Sequence, residues 1–417
     1  MGYLYVCKNF KLYVHLRKRD IMNLLKEKVK RLIMNKRQEL ISLSHQIHEH
    51  PETAFNEKFS SKQICLYLEK EGFKVINGFG GLETAFYAEA KGKTHYPKIA
   101  VLAEYDALKG IGHGCGHNII AASAVGAFIS VASVISELNG TICIIGTPAE
   151  EGGGGKVIML QNGAFDDVNF AMMMHPNSGN NLVFRGGRAA VNMKIVFKGK
   201  AAHSADPSKG INALNAMIEL FNGLNIMRAS MPQGANVNGI ITEGGTVANI
   251  IPDCSRAEFS IRGNTLQDLD IIVKMLRDSI ASSERLIGVQ TQTELGQYYA
   301  ERYPNKPMSK AFKANIESLG EKIFYPDPEK QYGSSDIGNV SIQIPTIHEY
   351  LSIAPESVNA HTKEFAACAV SKRADDVCLL GAKGLAMTAI DLFIDKELRK
   401  EAADSHNLQI PNIYKKK

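Results

Sequence analysis

Thr141-Ile-Cys-Ile-Ile-Gly146-Thr-Pro-Ala-Glu150-Glu151-Gly-Gly-Gly-Gly-Lys156 joins a short apolar run to two adjacent carboxylates and four glycines. The run, Thr141 to Gly146, reads as a strand buried on both faces. Adjacent carboxylates repel each other, so holding both beside one pocket costs free energy unless a cation is present. Glycines let backbone crowd such a place. The stretch is not a phosphate loop, because a Walker motif needs glycine six residues before Lys156 and Glu150 stands there.

The pattern repeats on either side. Ile99-Ala-Val-Leu-Ala-Glu104 is a second apolar strand, followed by Asp106 and by Gly112-His113-Gly-Cys115-Gly-His117-Asn118. Phe170 to Met174 is a third, with His175-Pro176 at its end. A helix of small apolar residues is expected over about Asn118 to Leu138. Continuous apolar strands alternating with helices predict a mainly parallel sheet covered on both faces. In such sheets the loops at the carboxyl ends of the strands form the site. The candidate ligands fall there: Asp106, Cys115 and His117, then Glu150 and Glu151, then His175. Thiolate with imidazole suits zinc or a similar transition metal. A dication acidifies water, and a neighbouring carboxylate can take the proton. His113 serves equally as a ligand or as a support for one. The glycines from Gly110 fail the dinucleotide fingerprint, since Cys115 occupies its last glycine position.

Near residue 189 the period changes. Val191, Met193, Ile195 and Phe197 alternate with mostly polar neighbours, and Ala257, Phe259 and Ile261 alternate with Glu258, Ser260 and Arg262. With helices over Ile211–Arg228 and Leu266–Ile287 this gives a β-α-β-β-α-β order. The fold class expected is α/β. It comprises a discontinuous catalytic domain (35–188 and 299–417) with a mixed, mainly parallel sheet between helices, and an inserted α+β lid (189–298). The second catalytic part is expected to hold a strand near Ile342–Ile347 and a closing helix over Ala374–Ile394. In the insert, His203 lies just past a strand end, Asn249 lies in Gly-Thr-Val-Ala-Asn-Ile-Ile-Pro, and Arg262 projects from a polar face. Arginine suits a bidentate grip on a carboxylate.

The net charge of +5 is unevenly spread. Residues 1–40 hold eleven Lys/Arg against Asp20, Glu27 and Glu39, leaving 37 basic and 40 acidic residues in the rest. Nucleic-acid binding would spread basic residues over a folded face with aromatics among them, and is not expected. Residues 1–34 read as a basic leader, with no apolar core of the length a secretory signal needs and Val6 where myristoylation wants Ser or Thr. The folded domain is expected to start near Met22 or Met34. No transmembrane run stands out. Seven cysteines without regular spacing imply no disulfide framework and a cytoplasmic location.

Taken together, His45-Gln-Ile-His-Glu-His-Pro-Glu52, Ala103-Glu-Tyr-Asp-Ala-Leu108, Gly112-His-Gly-Cys-Gly-His-Asn118, Gly146-Thr-Pro-Ala-Glu-Glu-Gly-Gly-Gly-Gly-Lys156 and Ser335-Asp-Ile-Gly-Asn339 resemble the aminoacylase/carboxypeptidase family of dinuclear metallohydrolases. Within it they are similar to the amidohydrolase branch, with its aminobenzoyl-glutamate hydrolases and its dipeptidases acting on basic or β-alanyl dipeptides. The resemblance implies two divalent ions (zinc or manganese, cobalt being a further option) held by Cys115, His117, Glu151, His175 and His361. It implies Glu150 as general base and His203 as a lid histidine that, in dimeric relatives, stabilises the oxyanion in a neighbouring subunit's site. Asn249 and Arg262 would hold the substrate's carboxylate. The implied activity is hydrolysis of a dipeptide or N-acyl amino acid with a free carboxylate, by a homodimer. Aminoacylases proper have His-x-Asp where this chain has Glu104-Tyr-Asp106, so Cys115 is expected to replace that histidine and Asp106 to support a ligand at best. His348 stays open as an alternative to His361. Two rival readings are a thiol hydrolase using Cys115 with His117, and a non-catalytic binding protein on the same fold.

Overall fold

The computed structural model describes the backbone of residues 2–415 and the side chains of residues 18–415. Two units divide it: residues 1–186, 303–330 and 339–417 form the first, and residues 187–302 with 331–338 form the second.

In the first unit, β3 (Lys98–Ala103), β4 (Thr141–Gly146), β5 (Phe170–Ser178) and β10 (Thr346–Ala354) run parallel. β2 (Phe86–Lys91) pairs antiparallel with β4, and the short β1 (Ile76–Asn77) with β2. The order across the sheet is β1-β2-β4-β3-β5-β10. This is the mixed, parallel-rich α/β sheet expected from the apolar runs. Three details differ. His175 lies within β5 opposite Tyr350, not at the strand end. Ile342 belongs to a short helix, and the strand near it begins only at Thr346, beyond Pro345. The helix α4 (His117–Ala132) stops before Leu138 and continues as a single tight turn over Ile135–Glu137.

The helices of this unit are α1 (Gly2–Asn35), α2 (Arg37–Glu49), α3 (Lys58–Lys70), α4, α5 (Gly155–Gln161), α8 (Lys306–Ser318), α10 (Lys363–Cys368), α11 (Lys372–Ile394) and α12 (Lys396–Gln409). Helix α9 (Ile337–Gln343) begins within the segment 331–338. α4 is buried on every side, which its small residues permit. A Cβ on Gly126 would come within 2.9 Å of Leu40 and 3.1 Å of Ala382, so α2 and α11 approach it too closely for a larger residue. α11 is long and apolar enough to cross a membrane by length and composition, yet it is an interior helix packed on α4, α1 and α8.

The basic segment 1–34 is not a separate leader over its described side chains; those of residues 1–17 lie outside them. Leu25, Val29 and Ile33 recur every four residues on α1 and are buried in the same core as α4 and α11. Cations along this helix and just after it meet acids from elsewhere in the chain. Lys18 pairs with Asp395 at 3.0 Å, Lys26 with Asp391 at 2.5 Å, Lys28 with Glu137 at 2.7 Å and Lys36 with Glu71 at 2.7 Å. Counting charge along the sequence separates what the fold pairs.

The second unit follows β6 (Ala189–Lys198), α6 (Ala213–Met227), β7 (Asn236–Glu243), β8 (Cys254–Gly263), α7 (Leu266–Ile287) and β9 (Gln290–Leu295), an antiparallel sheet in the order β7-β8-β6-β9. Val191, Met193, Ile195, Phe197, Ala257, Phe259 and Ile261 form its core with the inner faces of α6 and α7. Thr265 and Asp268 close a capping box at the start of α7, and Gly288 at φ 82° ends it.

Candidate functional site

Asp106 organises the carboxyl-end loops of the first unit. It is buried two residues past Glu104, and its Oδ1 lies 2.9 Å from His117 Nδ1 while its Oδ2 accepts the backbone N–H of Glu151 at 2.9 Å. One side chain thus ties the loop after β3, the first residue of α4 and the loop after β4. Burial opposes its ionisation, but His117 beside it outweighs that and holds the Asp106 carboxyl below its ordinary value. Burial likewise opposes a charge on His117, and Asp106, Glu104 and Glu151 together raise its pKa well above that of an ordinary imidazole. With Nδ1 bound to Asp106, His117 presents Nε2 to the site, and that atom has no hydrogen-bond partner among the described residues.

The loop after β4 is shaped by backbone. Ala149 sits at φ 62°, and Gly153 and Gly154 donate back to its carbonyl. A Cβ on Gly155 would fall 1.9 Å from the Pro148 oxygen, and one on Gly153 would enter the Phe55 ring. The glycines are therefore a packing requirement, and they turn Glu150 and Glu151 into one place. Ala149 is further pinned by its N–H donating to Glu57 Oε1 at 3.0 Å. Glu57 also accepts from Phe55 N–H and the Thr84 hydroxyl, and is buried.

Burial pushes the Glu57 carboxyl up to about 7 against the hydrogen bonds it accepts. The folded chain then holds this proton more firmly than an unfolded chain, whose glutamate ionises near 4.5. The Glu57 contribution to stability is fully present below pH 4.5 and is lost as pH rises through about 7. Glu57→Gln is expected to flatten the dependence of melting temperature on pH across that window. An unchanged slope would remove Glu57 as its source.

Cys115, His117 and His175 each offer a ligand atom within 4.8 Å of the others; so do Cys115, Glu151 and His361, and so do His117, Glu150 and Glu151. Glu151 belongs to two of these sets. Its Oε1 lies 3.8 Å from His117 Nε2 and its Oε2 3.7 Å from His361 Nε2. His175 Nδ1 donates to the Pro176 carbonyl at 2.6 Å, leaving Nε2 to act as a ligand. Gly116, at φ 73°, lies so close to Pro176 that a Cβ would reach it at 2.8 Å. That contact seats Cys115 and His117 against the strand of His175. His361 comes from a distant loop whose backbone N–H donates to the Gly114 carbonyl at 2.9 Å, with φ 66° at His361. Thiol, imidazole and carboxylate donors converge here, and one of the imidazole nitrogens is buried without a partner. This set fits divalent transition-metal ions.

His113 turns away. Its Nε2 donates to the Ile47 carbonyl at 3.1 Å, and burial lowers its pKa to about 3, so it is neutral. His348 stacks edge-on against His175, with ring centroids 5.2 Å apart. Neither falls in a donor set among the described residues. The other three expected residues lie in the second unit. His203 bridges to Ile250, the Ser204 N–H donates to the Asn249 carbonyl at 3.0 Å, and Arg262 donates to the Ser334 hydroxyl at 3.1 Å. Sequence reading passed over Glu57, Glu104 and Lys156. The available signal was one charge at the end of an all-apolar strand and one lysine after four glycines.

Residues 185–285 match the peptidase dimerisation domain. The chain is 32% identical to Xaa-Arg dipeptidase of Homo sapiens over 94% of both chains. It is 27% identical to a p-aminobenzoyl-glutamate hydrolase chain of Escherichia coli, over 89% of this chain and 92% of that one. A Bacillus subtilis structure described as a dinuclear metal binding peptidase of the M20 family superposes with TM-score 0.60 at 22% identity, covering 86% of this chain and 99% of that one.

Proposed function

The chain belongs to the M20 peptidase family and is a hydrolase, and on that premise we propose that it cleaves the amide bond of a dipeptide or N-acyl amino acid bearing a free carboxylate, using two divalent ions and Glu150 as general base. The observation that carries this reading is the pair of neighbouring carboxylates after β4. Glu151 spreads its two oxygens toward His117 and His361, as a shared ligand does, while Glu150 stands beside His117 in the same cluster. Cys115, His117, Glu151, His175 and His361 would hold the ions, zinc or manganese by the mixed donor set. Such ions polarise a carbonyl and acidify water.

Glu150 takes the proton of the attacking water and delivers it to the leaving amine. Asp106 keeps the His117 proton on Nδ1 throughout. From the inserted unit, His203 is assigned to the developing oxyanion, and Asn249 and Arg262 to the substrate's carboxylate. The match of this unit to a dimerisation domain supports a homodimer in which His203 serves a partner's site. Free cysteines at all six described positions suit the cytoplasm.

The rival thiol mechanism is disfavoured by the same geometry. Burial, then Glu151 and Glu150, push the Cys115 thiol well above its ordinary value, whereas a nucleophilic cysteine needs its thiolate. The test is amine release from dipeptides ending in Arg or Lys, β-alanyl dipeptides, N-acyl amino acids and aminobenzoyl-glutamate, with manganese, with zinc and after chelation. Dipeptides ending in arginine come first, given the human relative. Chelator-sensitive cleavage of one class is expected; turnover that survives chelation would sink the metal mechanism, and ligand binding without turnover would favour a binding protein.

A further inference from the structure

Glu104 is fully buried at the carboxyl end of β3. Its Oε1 takes the ion pair of Lys156 Nζ at 2.5 Å, and that lysine is buried as completely. Its Oε2 has no hydrogen-bond partner among the described residues and lies 3.4 Å from His117 Nε2, which has none either. The acids around His117 favour a proton on Nε2 that offsets Glu104; an ion that takes Nε2 as a ligand displaces that proton, and the lone pair then faces Glu104 Oε2. Such a contact is repulsive unless both atoms donate to something electropositive. Two ligand atoms bound to one tetrahedral ion at about 2.0–2.1 Å stand about 3.3–3.4 Å apart. The observed 3.4 Å separation matches the edge of such a tetrahedron.

We infer that Glu104 is a further ligand of the metal centre, binding through Oε2 on the His117 side, with Lys156 holding Oε1 so that only one oxygen coordinates. The inference rests on the metal-dependent reading above. It changes the role expected at this position: the carboxylate standing where aminoacylases have a histidine is itself a donor, alongside Cys115. Lys156 is its positioning partner, orienting the carboxylate and offsetting the negative charge that Glu104 adds to Asp106, Glu150 and Glu151.

The experiment measures metal equivalents by elemental analysis and metal affinity by chelator competition in three proteins: the wild type, Glu104→Gln, and the double variant Glu104→Gln/Lys156→Met. The double variant leaves no unpaired buried cation, and its melting in excess chelator is compared with that of the wild type. Groups that merely support a metal ligand are worth about 10–100-fold in affinity. Loss of a direct ligand is therefore expected to weaken one of the two equivalents by about 100-fold or more in both variants, with the chelated double variant melting like the chelated wild type. Two equivalents bound at wild-type affinity in either variant would overturn the inference and leave the metal centre standing. A wild type that binds no metal would overturn both.

Discussion

Glu150→Gln is expected to lower kcat roughly 10³–10⁴-fold, the upper part of the range for removal of a general base, while leaving metal content unchanged. That loss corresponds to about 4–5 kcal/mol of transition-state stabilisation. The substitution is nearly isosteric, and the turn that carries residue 150 is held by other groups: Glu57 binds the Ala149 N–H, and Asp106 binds the Glu151 N–H. The site should keep its shape and lose only the ability to accept a proton. Metal analysis beside steady-state kinetics checks this. A variant that retains activity removes Glu150 as base, and one that loses metal makes it a ligand.

The second large effect is expected at Asp106. Asp106→Ala strips partners from the buried His117 Nδ1 and from the Glu151 N–H together. Removing one member of a buried charged pair costs about 3–5 kcal/mol, so a marked drop in melting temperature should accompany weaker metal binding. Asp106→Asn separates the two effects. Its amide oxygen can still accept from Glu151, but its NH₂ group then points a donor at His117 Nδ1. The ring proton is driven to Nε2, and the lone pair offered to the metal disappears. Asparagine is therefore expected to weaken metal affinity about 10–100-fold with much less loss of stability than alanine. Metal titration and thermal melts on both variants decide it. Wild-type affinity in the asparagine variant would show that Asp106 does not set the tautomer.

The strands that position this site were legible because each carries an unbroken apolar run (Ile99–Ala103 in β3, Ile142–Ile145 in β4, Phe170–Met174 in β5), a pattern that chain order alone displays. The insert was legible for the opposite reason, since the apolar residues of Val191 to Phe197 and Ala257 to Ile261 alternate with mostly polar ones. The ligand loops followed from the ends of those strands. What stayed hidden depends on pairing across distance. Glu104 and Lys156 are 52 residues apart, and Glu57 and Ala149 are 92 apart. Neither partner carries a local signature of the other. The cations of α1 looked like a leader because their acids lie more than a hundred residues further along the chain. Ile342-Gln-Ile reads as a strand in isolation, and only the packed structure puts Ile342 on a helix and starts β10 at Thr346.

Helix α4 is apolar on every face, and one of those faces is covered by α11. Some 240 residues separate the end of α4 at Ala132 from the start of α11 at Lys372. At a synthesis rate of about 5–20 residues per second, that interval takes on the order of 10–50 s. For all of it the emerging chain carries an apolar helix with that face uncovered, while the inserted unit, whose strands all lie between residues 189 and 295, is made and can fold. The first unit is thus the last part of a nascent molecule to close, and a helix made late completes the wall behind its earliest ligands.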